Sequence, residues 1–230
     1  MRYVITGANR GIGLEFVRQL LARGEDVVAG AREPEKSTEL QKLIENAAGK
    51  GKVYACDVAR DESVRAFASH IADAPIDVLI NNAGVYGKMQ SLVELDLDDV
   101  RQTFDVNAVG PIRVTRALLP NILASKTRHV VHITSGMGSI SDNSSGGAYG
   151  YRMSKAALNM ANKSMSIDYR DQGLVAVVMN PGWVQTDMGG KGAPLLVHDA
   201  VRQMLETIDA LTAADNGKFL NYKKGETYAF

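Results

Sequence analysis

Tyr151 and Lys155 stand four residues apart in Tyr151-Arg152-Met153-Ser154-Lys155, a spacing that puts both on one face of a helix. A free phenol has a pKa near 10, so it exchanges protons poorly at neutral pH unless a nearby cation stabilises the phenolate. Lys155 is that cation. Lowering the phenol by about 3 units requires roughly 4 kcal/mol, within reach of a lysine charge plus a nicotinamide charge in a desolvated pocket. Such a pair also arises by chance in many helices, so its surroundings decide. Sixteen residues before Tyr151, Ser135 follows an apolar run, where its hydroxyl could polarise a carbonyl. Thr134, Ser139 and Ser141 compete for that part, and Ser135 is preferred because it immediately follows the strand. Tyr149 competes with Tyr151, but the residue four places after it is Met153, which supplies no cation.

A second constellation opens the chain. Thr6-Gly7-Ala8-Asn9-Arg10-Gly11-Ile12-Gly13 joins a β-branched run to a segment of helical period. In that context glycines let the backbone turn sharply and approach a pyrophosphate, while the helix amino end offers N–H groups and partial positive charge. The spacing Gly7, Gly11, Gly13 differs from the commoner G-x-G-x-x-G, and three glycines alone fit an ordinary turn as well. At the end of the second strand an acid would favour NAD, whereas an arginine accommodates the 2′-phosphate of NADP. Here Ala31 is followed by Arg32, with Arg10 in the glycine turn, so the expected cofactor is NADP, with NAD less favoured. The competing reading is two solvated surface arginines.

These residues need a scaffold. Short β-branched runs recur at residues 3–6, 26–31, 52–56, 77–81, 129–134 and 174–180, with a last short one at 217–222. Segments of helical period fill residues 11–22, 35–47, 61–72, 98–124, 151–170 and 199–212. Strand and helix alternate, and runs such as Leu174-Val175-Ala176-Val177-Val178-Met179 are apolar without a break, as in parallel strands covered on both faces. The expectation is one α/β domain over residues 1–230, a doubly wound parallel sheet of about seven strands (a Rossmann fold), with Ser135 at the sheet edge where ligands bind. The Gly/Ser-rich stretch 136–150 is too short to separate domains.

Composition excludes several classes of function. With 26 Lys plus Arg against 26 Asp plus Glu and no long run of one sign, there is no basic stripe for nucleic acid. No apolar run nears the roughly 18 residues of a membrane span, and the amino end shows no signal pattern, so the cytoplasm is the expected compartment. Cys56 is the only cysteine, which removes disulfides and cysteine clusters and reads as a small buried hydrophobe. His70, His129, His132 and His198 lack ligand spacing with a carboxylate, so no metal is expected. Met153, Met160 and Met165 read as packing or a subunit face, and Glu94, Asp96, Asp98 and Asp99 as a helix start.

Taken together, the motifs resemble the short-chain dehydrogenase/reductase family over essentially the whole chain. Thr6-Gly7-x-x-x-Gly11-x-Gly13 matches its cofactor turn, and Asn81-Asn82-Ala83-Gly84 its motif after the fourth strand. Asn107 in Val106-Asn107-Ala108-Val109-Gly110 matches its helix asparagine, Ser135, Tyr151 and Lys155 its catalytic residues, and Pro181-Gly182-Trp183-Val184-Gln185-Thr186 its nicotinamide-side loop. Within the family, residues 146–159 and 181–190 are similar to the C-factor and carbonyl-reductase-like subgroup. The resemblance implies hydride transfer between nicotinamide and a carbonyl or alcohol, with Tyr151 exchanging the proton, Lys155 holding the nicotinamide ribose, Ser135 fixing the carbonyl and Asn107 anchoring a relay water. It implies cofactor contacts from Thr6, Gly7, Asn9, Arg10, Gly11, Ile12, Gly13 and Arg32. Asp57 and Val58 would contact adenine, Asn81, Ala83 and Gly84 would border the adenosine ribose, and Pro181, Gly182, Val184 and Thr186 the nicotinamide side. It also implies a homodimer or homotetramer acting on a small molecule. The segment after Thr186 is short and Gly-rich, which predicts an open cleft, and the Ser135–Tyr151 spacing exceeds the family's usual one. A rival reading is a cofactor-binding signalling protein with incidental turnover. A sugar-nucleotide epimerase shares the Tyr-x-x-x-Lys pair but resembles longer chains with an added domain.

Overall fold

The computed structural model describes residues 1–230. Its strands are β1 Arg2–Thr6, β2 Asp26–Ala31, β3 Gly51–Ala55, β4 Val78–Asn81, β5 His129–Ile133, β6 Val175–Asn180 and β7 Phe219–Asn221. They form one sheet in the order β3-β2-β1-β4-β5-β6-β7, each strand parallel to its neighbours. Parallel neighbours require crossovers, and the helices α1 Gly11–Ala22, α2 Thr38–Glu45, α3 Asp61–Ile71, α4 Leu97–Phe104, α5 Gly110–Ala124, α6 Tyr149–Asp168 and α7 Val197–Asp209 lie in them. Chain order reverses between β1 and β4, which opens a crevice at the carboxyl ends of the strands.

Successive strand residues face opposite sides of the sheet, so each strand feeds two cores. Tyr3 and Ile5 pack with Phe16 and Leu20 of α1 and Met204 and Leu205 of α7, whereas Val4 packs with Phe67 of α3 and Leu118 of α5. All six residues of β6 are buried, which is why that run carries no polar alternation before Asn180. No helix is long and apolar enough to cross a membrane.

Three departures from sequence periodicity have local causes. The segment expected to be helical from 35 to 47 begins as a 3₁₀ turn at Pro34–Lys36, and α2 starts only at Thr38. The long helix expected over 98–124 is divided by a π turn at Asp105–Val109, where the Gly110 N–H donates to the carbonyl of Asp105. Pro111 has no N–H to give the Asn107 carbonyl, so the regular ladder cannot run through this point. Helix α6 begins at Tyr149 rather than Tyr151, because Gly146, Gly147 and Ala148 have φ of 63°, 66° and 45° and turn the chain left-handed into it. Tyr151 is thereby delivered on the first turn.

His132 is buried between the sheet and α5. The Asn81 amide Nδ2 lies 3.0 Å from Thr115 Oγ1 and 3.2 Å from His132 Nδ1, and His132 Nε2 has no partner. Burial, with the Lys155 charge nearby, pushes the imidazole down to about 3. The folded chain therefore refuses a proton that the unfolded chain accepts below about pH 6.5, and this group removes stability as pH falls from about 6.5 towards 3. Burial lowers His129 as well and steepens the same slope. Denaturant unfolding between about pH 6.5 and 5 should cost the native chain roughly 1.5 kcal/mol more stability than His132→Gln. Parallel pH dependences for the two proteins would show that His132 is protonated in the fold.

Candidate active site

The crevice at the β1–β4 reversal is floored by Gly7, Asn9, Arg10, Gly11, Ile12 and Gly13. The glycines are required by contact distance. A Cβ on Gly7, where φ is 64°, would come 2.7 Å from the Cα of Ala83, and one on Gly13 would come 2.2 Å from the Gly7 carbonyl oxygen. Asn82 Nδ2 donates to the carbonyls of Thr6 and Gly7 at 3.0 Å each, and Thr6 Oγ1 accepts the N–H groups of Asn82 and Ala83 at 3.1 and 3.2 Å. Thr6 thus stitches the β1 and β4 loops from beneath and does not line the crevice.

The Asn81 side chain lies apart from the crevice lining. It lies on the α5 side of the sheet with Thr115 and His132, and the crevice is lined by Asn82, Ala83 and Gly84. One step along an extended chain reverses the side chain, so the two adjacent asparagines do opposite jobs.

On the side of β2 and β3, Arg32, Asp57 and Val58 line the crevice, together with Cys56. Ser63 Oγ accepts the Asp57 N–H at 2.8 Å and Asp57 Oδ1 accepts the Ala59 N–H at 3.1 Å, which holds this loop in place. Burial pushes the Cys56 thiol up to about 12, so it is inert as a nucleophile. Arg32 has no ion pair, whereas Arg10 crosses the crevice to Asp187 at 2.9 Å. Both partners of that bridge are exposed.

Across the crevice, Pro181 and Thr186 line the wall, joined by Asp187 and Met188. Two expected contacts fall outside it. Gly182, with φ of 80°, packs under the Tyr222 ring, where a Cβ would approach to 2.8 Å, and the Val184 side chain is in the core. The Gly-rich segment is tied down: Gly189 N donates to Thr186 Oγ1 at 3.1 Å, Gly190 N to the Thr186 carbonyl at 2.8 Å, and Trp183 Nε1 to the Gly189 carbonyl at 2.8 Å.

Tyr151 and Lys155 both reach the crevice from α6. Lys155 Nζ donates to the Ile133 carbonyl at 2.9 Å and lies 5.7 Å from the centroid of the Tyr151 ring, and the Tyr86 ring leans on Tyr151 at 4.6 Å. Burial pushes the Tyr151 phenol up to about 12, against a lowering by the Ser135 hydroxyl, and pushes the Lys155 ammonium down to about 8. The depression of Tyr151 expected from Lys155 is therefore not a property of the chain by itself. The ammonium is bonded to a main-chain carbonyl, and loss of water around the phenol dominates.

Ser135 Oγ accepts the Met137 N–H at 3.1 Å, which leaves its own proton free to donate. Asn107 is buried outside the crevice lining: Oδ1 accepts the Val85 N–H at 2.8 Å, and Nδ2 donates to the Val85 carbonyl at 2.8 Å and to Ser154 Oγ at 3.0 Å. Its amide ties the β4 loop to α6. Sequence reasoning passed over Asn82, although it lies inside the quoted Asn-Asn-Ala-Gly motif, and Tyr86, for which no spacing signal exists.

Comparison with known proteins places this geometry. The family model for short chain dehydrogenases matches residues 2–194. The C-signal protein of Myxococcus xanthus is 53% identical over 163 residues, which are 71% of this chain and 98% of that protein. Among solved structures, the carbonyl reductase Sniffer of D. melanogaster superposes with a TM-score of 0.93 at 32% identity, over 100% of this chain and 99% of that one. The NADPH-bound carbonyl reductase from chicken fatty liver gives a TM-score of 0.93 at 33% identity, over 100% of this chain and 94% of that one.

Proposed function

The chain belongs to the short-chain dehydrogenase family, and from that premise we propose that it is an NADP-dependent carbonyl reductase or alcohol dehydrogenase with Tyr151 as its proton donor. The observation that carries the reading is the presentation of Tyr151 and Lys155 in the same crevice as the glycine cradle, with the Ser135 hydroxyl beside the phenol. A signalling role with incidental turnover rests on the C-signal likeness alone and is not favoured, because Tyr151 and Lys155 line the same crevice as the glycine cradle.

Bound NADPH would supply the hydride for carbonyl reduction, and NADP⁺ would accept it in the reverse direction. The glycine cradle and the amino end of α1 would hold its pyrophosphate, and Arg32, which makes no ion pair, would take the 2′-phosphate. Arg10 would join it by exchanging Asp187, and an exposed ion pair of about 0–1 kcal/mol is a small obstacle. The chicken reductase, with NADPH bound on the same fold, supports this choice of cofactor. Tyr151, protonated throughout the neutral range, donates its proton to the substrate oxygen as negative charge develops there. Ser135 donates a hydrogen bond to the same oxygen, and Lys155 holds the neighbouring ribose and stabilises the phenolate left behind. In the reverse direction the phenolate accepts the alcohol proton.

Helix α6 also carries Met153, Met160 and Ile167 exposed at intervals of seven residues, a surface through which the chain is proposed to form a homodimer or homotetramer. Light scattering should give a mass of at least twice the 24.8 kDa chain, and a monomer at micromolar concentration would refute the pairing.

NADPH oxidation against a panel of aldehydes, diketones and quinones tests the activity. Tyr151→Phe should lower turnover at least about 100-fold while leaving cofactor affinity nearly unchanged, and near-normal turnover would remove Tyr151 from its role. NADPH should bind about 10- to 1000-fold more tightly than NADH, a preference that Arg10→Ala combined with Arg32→Ala should erase through weaker NADPH binding alone. Equal dissociation constants for the two cofactors in the native chain would show that the arginines serve solvent.

A further inference from the structure

Ser135 sits at the strand end where β5 gives way to a short 3₁₀ turn, Gly136–Gly138, and its hydroxyl is tied to that turn through the Met137 N–H, so its position depends on what holds the turn. Its support comes from two sides. From α6, Asn159 Oδ1 accepts the Thr134 hydroxyl at 2.7 Å and Asn159 Nδ2 donates to the Gly138 carbonyl at 3.2 Å, and Lys155 packs so closely on Gly138 that a Cβ there would meet it at 2.9 Å.

The opposite side is held by the last residue of β6 and by Thr227–Phe230, which turn back against β7 through an antiparallel bridge from Thr227 to Leu220. Asn180 is buried, and both ends of its amide are in use. Oδ1 accepts the Gly136 N–H at 3.0 Å, while Nδ2 donates to Tyr228 Oη at 3.0 Å and Asn221 Oδ1 at 3.4 Å. The Tyr228 ring lies against Gly136, where a Cβ would approach it to 3.4 Å, and stacks on Phe219 at 5.1 Å. Two residues on, the Phe230 main-chain oxygen accepts Ser141 Oγ at 2.9 Å and Ser141 N at 3.3 Å. One short segment therefore grips both ends of residues 136–141. None of its side chains lines the crevice.

We propose that Asn180 and Tyr228 are positioning residues for Ser135, clamping the turn behind it so that its hydroxyl stays in register with Tyr151. The mechanical reason is that Ser135 Oγ is itself bonded to the Met137 N–H, so a shift of the turn moves the hydroxyl with it. Displacements of about 1 Å in such a group cost up to about 100-fold in rate. The inference rests on the reductase reading for its kinetic consequence, but the clamp is also observable without turnover.

Two measurements on the full chain test it. In hydrogen exchange, Tyr228→Ala should speed the amides of residues 136–141 at least about 10-fold while those of α1 and β1 keep their native rates; unchanged exchange in the turn would overturn the proposal whatever the activity. In NADPH oxidation with the best substrate of the carbonyl panel, Tyr228→Phe should lower turnover about 3- to 10-fold and Tyr228→Ala about 30-fold, with NADPH affinity within about twofold of native. Combined with Ser135→Ala, Tyr228→Ala should cost almost nothing further, because its effect passes through Ser135. An equal loss in both backgrounds, or a loss that follows NADPH affinity, would make Tyr228 a general stabiliser instead. Tyr228→Phe, which removes only the hydroxyl, keeps the comparison available if the alanine variant fails to fold. A native chain inactive on the whole panel would fail the reductase reading and leave the exchange result to decide the clamp.

Discussion

A buried ammonium is among the more expensive groups a fold can carry, and Lys155 is the one on which this crevice depends. Its hydrogen bond to the Ile133 carbonyl joins α6 to the end of β5, beside the bonds of Asn159 to Thr134 and Gly138. The Tyr151 ring centroid lies 5.7 Å from the charge, the turn after Ser135 packs on the lysine stem, and the charge adds to the burial that keeps His132 neutral beneath. Burial brings the ammonium down to about 8, so the charge is held near its point of release at physiological pH. The Ile133 carbonyl offsets part of the cost of burying it.

The opposite wall depends on close approach. Gly7 and Gly13 admit no side chain because β1 and β4 end against one another, laced by Thr6 and Asn82. The lacing consumes groups that a reading by motif assigns to the ligand. Thr6, Asn81, Gly182 and Val184 all shape the wall without facing the crevice, and Asn107 spends its amide on Val85 and Ser154. Motif positions therefore record two requirements, contact with the ligand and construction of the loop that makes contact, and residue type alone does not separate them.

Much of the architecture was legible because burial on both faces of a parallel strand forces unbroken apolar runs, as in Val175–Met179, and because the intervening segments keep helical period. Element ends were less legible where one residue overrides the pattern: Pro34 delays α2, Pro111 breaks the ladder between α4 and α5, and the left-handed run through Ala148 starts α6 early. Each is a local backbone constraint that a periodicity of apolar residues does not encode.

By itself the sequence determined the α/β class, the glycine turn, the absence of an acid after β2 and the Tyr151/Lys155 face, since these follow from residue type and near-neighbour spacing. Only the tertiary structure decided which way each group points and what it is already bonded to. Arg10 meets Asp187 from a loop 177 residues away, Asn81 turns from the crevice that Asn82 enters, and Tyr228 reaches across to Gly136. The same packing, in the chain by itself, raises the pKa of Tyr151 through burial. Spacing in the chain measures separation along a helix or strand, but desolvation and pairing depend on everything that folds around a group, most of it contributed by distant residues.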